Sequence, residues 1–289
     1  MKRLPFILAA LYLLSVQLLF GVGTEHLFIV GLLLTGYYAH QKSRQLILDL
    51  LPLALFGVLY DFLRAIPKSW TGPIHVIWPY ELEKSLFGFS YHGTRIIPNE
   101  YFASHHSLPL DLLTAITYSL HVVVPIGFFL WTWFKHRPLS RHFAWAFLLV
   151  NLLAFLTYIL LPVAPPWYVE QYGLVPGDWT IPGNVAGLVY FDQWIGIPYF
   201  EHLYARSAWV FGAIPSMHAG FPVLVILFAH KVFKKGVIPF YCFAALVWFS
   251  AVYLRHHYII DLLAGAFYSF VVHQLMKKVG GTSRYRELI

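Results

Sequence analysis

Eight apolar runs divide the chain, and most of its charged residues lie at their ends or between them. Runs of this length predict membrane-crossing helices, for which about 20 apolar residues suffice. The first, Met1 to Val22, opens with Lys2-Arg3 and closes on Gly21-Val-Gly23. It has the outline of a signal peptide, but its apolar part is long for one and a second run follows at once, so a retained helix is expected. The others are Leu27 to His40 (short for a span), Gln45 to Ile66, Leu110 to Phe134, His142 to Leu161, Pro215 to Phe233, Val237 to Leu254 and Tyr258 to Met276. Asp49 and Asp61 interrupt the third run near its ends. Two long segments, 67–108 and 162–208, hold Pro, Gly and aromatic residues but no run able to span, and read as loops. The expected organisation is N-terminal membrane helices over 1–44, a six-helix core with its two loops over 45–277, and a polar tail over 278–289. The fold class is all-α, a polytopic membrane helix bundle. There is no internal repeat and no low-complexity segment.

Charge then orients the bundle. With eight helices the termini share a side, and that side with its short connections carries 14 of the 20 Lys and Arg residues, among them Lys42, Arg44, Lys135, Arg137, Arg141, Lys231, Lys234, Lys235, Lys277 and Lys278. The other six, Arg64, Lys68, Lys84, Arg95, Arg206 and Arg255, are spread over the long segments. Basic residues mark cytoplasmic connections, so both long loops are expected on the extracytoplasmic or luminal face. The net charge of +7 is thereby accounted for as a topology signal. No aromatic–basic surface suited to nucleic acid is present. Composition agrees: 59% of residues are hydrophobic and 11% charged, against about 25% charged in soluble domains. The 10 Trp and 19 Tyr suit anchoring at headgroup depth. Cys242 is the sole cysteine, so no intrachain disulfide forms and no redox compartment is indicated. Oligomeric state is not indicated.

Two polar stretches start apolar runs on the loop side. One is Pro215-Ser-Met-His218, the other Arg255-His-His-Tyr-Ile-Ile-Asp261. His257 and Asp261 are four apart, on one helix face. A carboxylate bonded to one imidazole nitrogen fixes the tautomer and leaves the other nitrogen as a nucleophile; the same pair would also serve simply to satisfy a helix start. Pro215 suits a first helical turn, where free backbone N–H groups and the Ser216 hydroxyl favour an anion. His218 is then placed for proton transfer to a phosphate oxygen, or is merely an interfacial histidine. The topology predicts both stretches at the outer surface, although 39 positions separate His218 from His257.

Phe211-Gly-Ala-Ile-Pro-Ser-Met-His-Ala-Gly220 and Tyr253-Leu-Arg-His-His-Tyr-Ile-Ile-Asp-Leu262 resemble the signature segments of the type 2 phosphatidic acid phosphatase superfamily, and most of all its inositol phosphorylceramide synthase (aureobasidin-resistance) branch. Leu161-Pro-Val-Ala-Pro-Pro-Trp-Tyr168 is similar to that branch too. The resemblance runs from about Gln45 to Met276. It implies a six-helix core, no metal, no other cofactor, and a covalent phosphohistidine. His257 would be the nucleophile, Asp261 its orienting partner, and His218 the acid for the leaving group and then the base for the acceptor.

The chain also departs from the superfamily. The Lys-x6-Arg-Pro segment is absent: Lys135-His-Arg-Pro138 has the wrong spacing and the wrong face, and Ala251 stands where a later Arg is usual. Candidate phosphate-binding residues are therefore Ser216, Arg255 and Arg64, the last sharing a face with Asp61; Arg206 is a poorer one. His256, Pro166, Trp167, Asp61 and His121 are candidate cavity residues. His121 lies about half-way along the fourth predicted helix, with Asp111 near that helix's outer end; such a histidine either lines a polar cavity or bonds neutrally between helices. Fewer fixed cations favour a singly charged phosphodiester donor over a monoester. The expected activity is transfer of a phospho-headgroup, such as phosphoinositol, from a membrane phospholipid to a ceramide-like or other lipid alcohol. The rival is a lipid phosphate phosphatase with water as acceptor and the same residues. A transporter or flippase is the third reading; it predicts intramembrane ionisable groups and related halves, and only His121 meets the first condition.

Overall fold

All eight predicted helices form, and many of their large apolar side chains are exposed. The computed structural model describes residues 3–233 and 235–279; the predicted tail from Gly280 onward and Lys234 lie outside the described residues. Among these, Gln41–Ala65, Leu108–Lys135, Arg137–Leu160, Lys235–Tyr253 and Ile259–Lys278 are long and apolar enough to cross a membrane, and Leu4–Leu19 and Met217–Ala229 are shorter apolar helices. Leu113, Ile116, Leu120 and Val123 form an exposed stripe along one of the spans, while Thr114, Ala115 and Tyr118 on its other face are buried. Helical spacing sorts the two sets, and an apolar outer face requires lipid as solvent. The chain is a multi-pass integral membrane protein.

The described residues divide into two compact units, Met1–Ile66 and Pro67–Ile289. The first holds α1 (Leu4–Leu19), α2 (Thr24–Ala39) and α3 (Gln41–Phe62), the last extended by a helical turn at Leu63–Ala65. The third helix, which the apolar pattern joined to the core, is thus grouped here with the first two.

In the second unit the two long segments are not plain loops. The first folds into α4 (Ile77–Phe87), a hairpin of β1 (Phe89–Tyr91) and β2 (Thr94–Ile96), and α5 (Pro98–Ser104). The hairpin turns on His92 and Gly93, both at positive φ, as a two-residue hairpin loop requires. Then come α6 (Leu108–Lys135) and α7 (Arg137–Leu160), followed by three short helices of the second segment, α8 (Pro166–Tyr172), α9 (Val189–Ile195) and α10 (Tyr199–Ala205). The unit ends with α11 (Met217–Ala229), α12 (Ile238–Tyr253) and α13 (Ile259–Val279). Proline at the first turn starts α5, α6, α7, α8 and α12, where its missing N–H is not needed.

Unequal helix lengths set the depth of everything else. The 28 residues of α6 span about 42 Å, more than the ~30 Å hydrocarbon layer. The 13 residues of α11 span only about 20 Å. The start of α11 is therefore sunk into the bundle, beside the middle of α6. Ser216, expected at the outer surface, is wholly buried, and His218 is half-buried.

The tightest approach in the unit brings α11 against α13. A Cβ on Gly265 would stand 1.9 Å from the Ser216 carbonyl oxygen, and one on Gly220 3.1 Å from the Gly265 carbonyl. Only glycine at 265 allows this contact. Across it Ser269 Oγ donates to the Gly220 carbonyl at 2.7 Å, and Ser216 N–H to the Asp261 carbonyl at 2.9 Å. Gly265→Ala is expected to destabilise the protein by about 1–3 kcal/mol, as overpacking does, and to remove activity by displacing Ser216. Gly127→Ala in α6, where an added Cβ meets nothing within 4 Å, is the control, expected to be neutral or stabilising by up to about 1 kcal/mol. Thermal unfolding in detergent, measured beside turnover, tests the contrast.

Candidate active site

Three stretches of chain meet at the sunken start of α11. His75, Val163 and Gly212 pair side by side as short parallel bridges, with Val163 N–H donating to the Phe211 carbonyl at 2.9 Å and Ala164 N–H to that of His75 at 2.9 Å. This ladder fixes the approach to α11. Tyr158 of α7 adds a hydroxyl bond to the Pro215 carbonyl at 2.8 Å. The carbonyl of Ala213 is thereby held 3.2 Å from His257 Nδ1.

The turn between α12 and α13 supplies the other half. Leu254 closes α12, Arg255 takes a positive φ of 63°, and the N–H groups of His256 and His257 both return to the Ala251 carbonyl at 3.1 Å. Asp261, in the first turn of α13, is fully buried. Its Oδ2 accepts from Tyr258 N–H at 2.8 Å and lies 3.4 Å from His257 Nδ1. With Nδ1 facing Asp261 and the Ala213 carbonyl, both acceptors, the proton of the neutral ring belongs on Nδ1 and the lone pair on Nε2. That Nε2 is 3.1 Å from His218 Nδ1. The sequence-distant histidines meet through the two nitrogens that proton transfer needs.

Aromatic rings wall the pair. Tyr118 stacks on His218 with ring centroids 3.9 Å apart, and His121 packs against the same ring at 3.8 Å. His121 Nδ1 also bonds the Tyr118 carbonyl at 2.8 Å. The His121 bond stays within α6 and does not join two helices, while its ring packs against His218. His256 lies against Tyr204 at 4.7 Å and Tyr118 at 5.3 Å. Burial, with the charges of His257 and Arg255 nearby, holds its ring well below the ordinary imidazole range, so it is neutral at pH 7.

The remaining expected residues divide. Arg255 is buried and its Nε is 2.7 Å from Glu170 Oε2 of α8, but off the N–H direction, so the contact is ionic and Nε–H has no bonded partner. Trp167 N–H donates to the Arg255 carbonyl at 3.0 Å, tying α8 to the turn; Pro166 begins that helix and is buried. Ser216 Oγ and His256 Nε2 are likewise buried with no partner; the Ser216 hydroxyl is an available donor, whereas the neutral His256 ring gives its proton to the Val185 backbone and Nε2 keeps only a lone pair. Arg64 and Asp61 belong to the first unit, where they pair with each other and Asp61 also faces His26 at 3.3 Å. Among the described residues no three His, Cys, Asp or Glu side chains are arranged to hold a metal ion.

Sequence reasoning passed over residues that hold the turn. Glu83 of α4 is fully buried; its Oε1 accepts from Ile259 N–H at 3.0 Å and its Oε2 from Ile260 N–H at 3.1 Å. Asn99 of α5 donates through Nδ2 to the carbonyls of Val252 and His257 at 3.0 and 2.9 Å. In Glu81-Leu-Glu-Lys84 the acid looks like part of a solvated charged run, and nothing local marks Asn99.

The recessed His218–His257–Asp261 constellation, with apolar helices outside it, is that of a membrane enzyme. The chain belongs to the PAP2 superfamily, whose family model matches residues 92–275. It is 42% identical over 262 residues to the phosphoinositol dihydroceramide synthase of Bacteroides thetaiotaomicron, covering 90% of this chain and 86% of that one. It is 30% identical to the inositol phosphorylceramide synthase of Candida albicans over 81% of this chain, and 32% identical to the inositol phosphorylceramide synthase catalytic subunit of Schizosaccharomyces pombe over 77%. The matched segments are 49% and 52% of those two fungal proteins, so the chain spans about half their length. No solved structure matches the chain.

Burial pushes the Glu83 carboxyl up to about 7, against the pull of its two N–H donors, and the nearby Asp261 charge adds to the rise. Its folded value thus lies above the 4.5 of a free glutamate. The associated stabilisation is present below that value and is lost as pH rises through about 7. Relative to Glu83→Gln, the wild-type protein is expected to lose thermal stability between about pH 5 and about pH 8. Parallel melting curves across that range check it; equal pH slopes for the two proteins would contradict it.

Proposed function

We propose that this chain transfers phosphoinositol from a phospholipid to the hydroxyl of a ceramide-like lipid through a phosphohistidine on His257. The observation that carries the reading is the 3.1 Å contact of His257 Nε2 with His218 Nδ1, made while the far nitrogen of His257 faces buried Asp261. The relatives, a phosphoinositol dihydroceramide synthase and an inositol phosphorylceramide synthase, supply the substrate class.

In the resting site the two ring nitrogens satisfy each other, and an entering phosphodiester takes the place of that bond. His257 Nε2 attacks phosphorus. The phosphorus–oxygen bond to the glyceride breaks, and a protonated His218 gives its proton to the departing oxygen. A P–N bond now holds the headgroup on His257. His218, left neutral, removes the proton from the acceptor hydroxyl, the acceptor oxygen attacks phosphorus, and the P–N bond breaks to restore His257. Asp261 stabilises the charge that the His257 ring carries in between. Ser216 Oγ and Arg255 are the groups assigned to the phosphoryl oxygens. The site is assigned to the extracytoplasmic or luminal side, because the basic residues concentrate at the other end of the helices. A lipid acceptor requires that water be kept from the intermediate, and the helices of the two long segments are assigned that part.

Purified protein given labelled phosphatidylinositol is expected to release diacylglycerol and form a labelled sphingolipid only when ceramide is added. His257→Ala and His218→Ala should each lower that turnover by at least about 1,000-fold, as loss of a nucleophile or of its acid does, without altering the melting temperature by more than a few degrees. Headgroup release to water at the same rate with or without ceramide would assign a hydrolase instead. Full activity in both alanine variants would refute the mechanism.

A further inference from the structure

The turn that carries His256 and His257 lies between the end of α12 and the start of α13, where backbone groups lack helical partners. The first N–H groups of a helix and the last carbonyls need acceptors and donors from elsewhere, and in a buried site water does not supply them. Two side chains from the 67–108 segment do so here. Glu83 accepts from Ile259 and Ile260 N–H at 3.0 and 3.1 Å, and Asn99 donates to the Val252 and His257 carbonyls at 3.0 and 2.9 Å. Both are essentially inaccessible, at 0% and 2% exposure.

From this arrangement we infer that Glu83, seconded by Asn99, is a positioning residue for the reaction: it takes the helix-capping duty that would otherwise draw Asp261 away from His257. Two buried carboxylates stand at the start of α13 and only one faces the nucleophile. Asp261 Oδ2 already serves Tyr258 N–H at 2.8 Å and His257 Nδ1 at 3.4 Å. Remove Glu83, and Asp261 is left as the carboxylate beside two unmet N–H donors at a positive helix end. Rotation toward them removes the orienting contact from His257 Nδ1. Asn99 fixes the same residue from the other side, through the carbonyl of His257 itself. Neither side chain touches the reacting nitrogen. The inference rests on the assignment of His257 and Asp261 as the reactive pair.

The test is a double-mutant cycle on the full chain in detergent or nanodiscs, with phosphatidylinositol and ceramide as substrates. Glu83→Gln keeps the shape but leaves one acceptor oxygen. It is expected to lower kcat on the order of 10- to 100-fold, as a small misplacement does, with KM for the donor within about twofold. Asp261→Asn is expected to be impaired too, and Glu83→Gln/Asp261→Asn no slower than Asp261→Asn to within about twofold, since both changes remove one interaction. Wild-type kcat in Glu83→Gln beside an impaired Asp261→Asn overturns the inference alone. So do losses that multiply in the double variant. Full turnover in Asp261→Asn overturns the site assignment and this inference with it. Should Glu83→Gln not fold, Asn99→Ala in the same cycle decides: a kcat loss that vanishes on an Asp261→Asn background supports the clamp, and an unchanged kcat or a multiplying loss overturns it.

Discussion

The site depends on how closely α11 and α13 approach. With the Ser216 carbonyl where a Cβ on residue 265 would be, the two helix starts share a backbone bond, Ser216 N–H to the Asp261 carbonyl. Every distance among His218, His257 and Asp261 follows from that contact, because each residue is within four positions of it. A larger residue at 265 pushes apart two rigid helices, not two flexible side chains. In lipid this matters more than in water. Apolar surface gains little by leaving lipid for another helix, so helices associate through close packing and hydrogen bonds. The Gly220–Gly265 contact and the Ser269 Oγ bond across it are of both kinds.

A second constraint is the burial of backbone polar groups beside the chemistry. The turn from Leu254 to Tyr258 bends through a positive φ at Arg255 and is almost wholly buried. Unmet donors or acceptors there would each be destabilising by about 1–3 kcal/mol. Glu83, Asn99, Asp261 and the Ala251 carbonyl meet them. The segments between the spans are therefore part of the enzyme's core. Their hydrophobic residues, Val76, Ala164, Trp167, Tyr168, Ala186 and Phe211, pack as one cluster. Tyr80 and Ile97 pack with Tyr258 and Ile260 beside the histidine turn in another.

Much of this was legible in the chain. Apolar runs gave the eight helices to within a few residues, because in lipid the apolar stretch and the span are nearly the same thing. Pro215-Ser-Met-His218 and His257 to Asp261 were recognisable because each is a local pattern with its own helix geometry. The depth of the site was not legible. It follows from α11 starting beside Tyr118 and His121, roughly 15 and 20 Å along α6 at ~1.5 Å per residue, and helix offset leaves no trace in a run of apolar residues. Nor was the role of Glu83, whose partners are backbone groups 176 and 177 positions away. A backbone N–H has no sequence identity, so no motif can announce the acid that meets it. The helices and hairpin within 67–108 and 162–208 were hidden for a related reason: each is short and is held by the others.

The charge around the reactive pair bears on which phosphate suits it. Ala251 is fully buried among Ala219, Leu254 and Leu262, and a guanidinium at that position would have to be buried with its charge unpaired, at a cost of several kcal/mol. Arg255, the nearest cation in sequence, is already matched by Glu170. Two positions before His218, the Ser216 hydroxyl is a neutral donor, buried and unmet. A phosphodiester carries one negative charge and a lipid tail on each side of its phosphorus, or a tail and a headgroup. A monoester carries nearly two charges at neutral pH and would leave more of them uncompensated in the same setting. On the proposed mechanism, a pocket with few unmatched cations favours the diester by charge alone, before any contact with the headgroup is made.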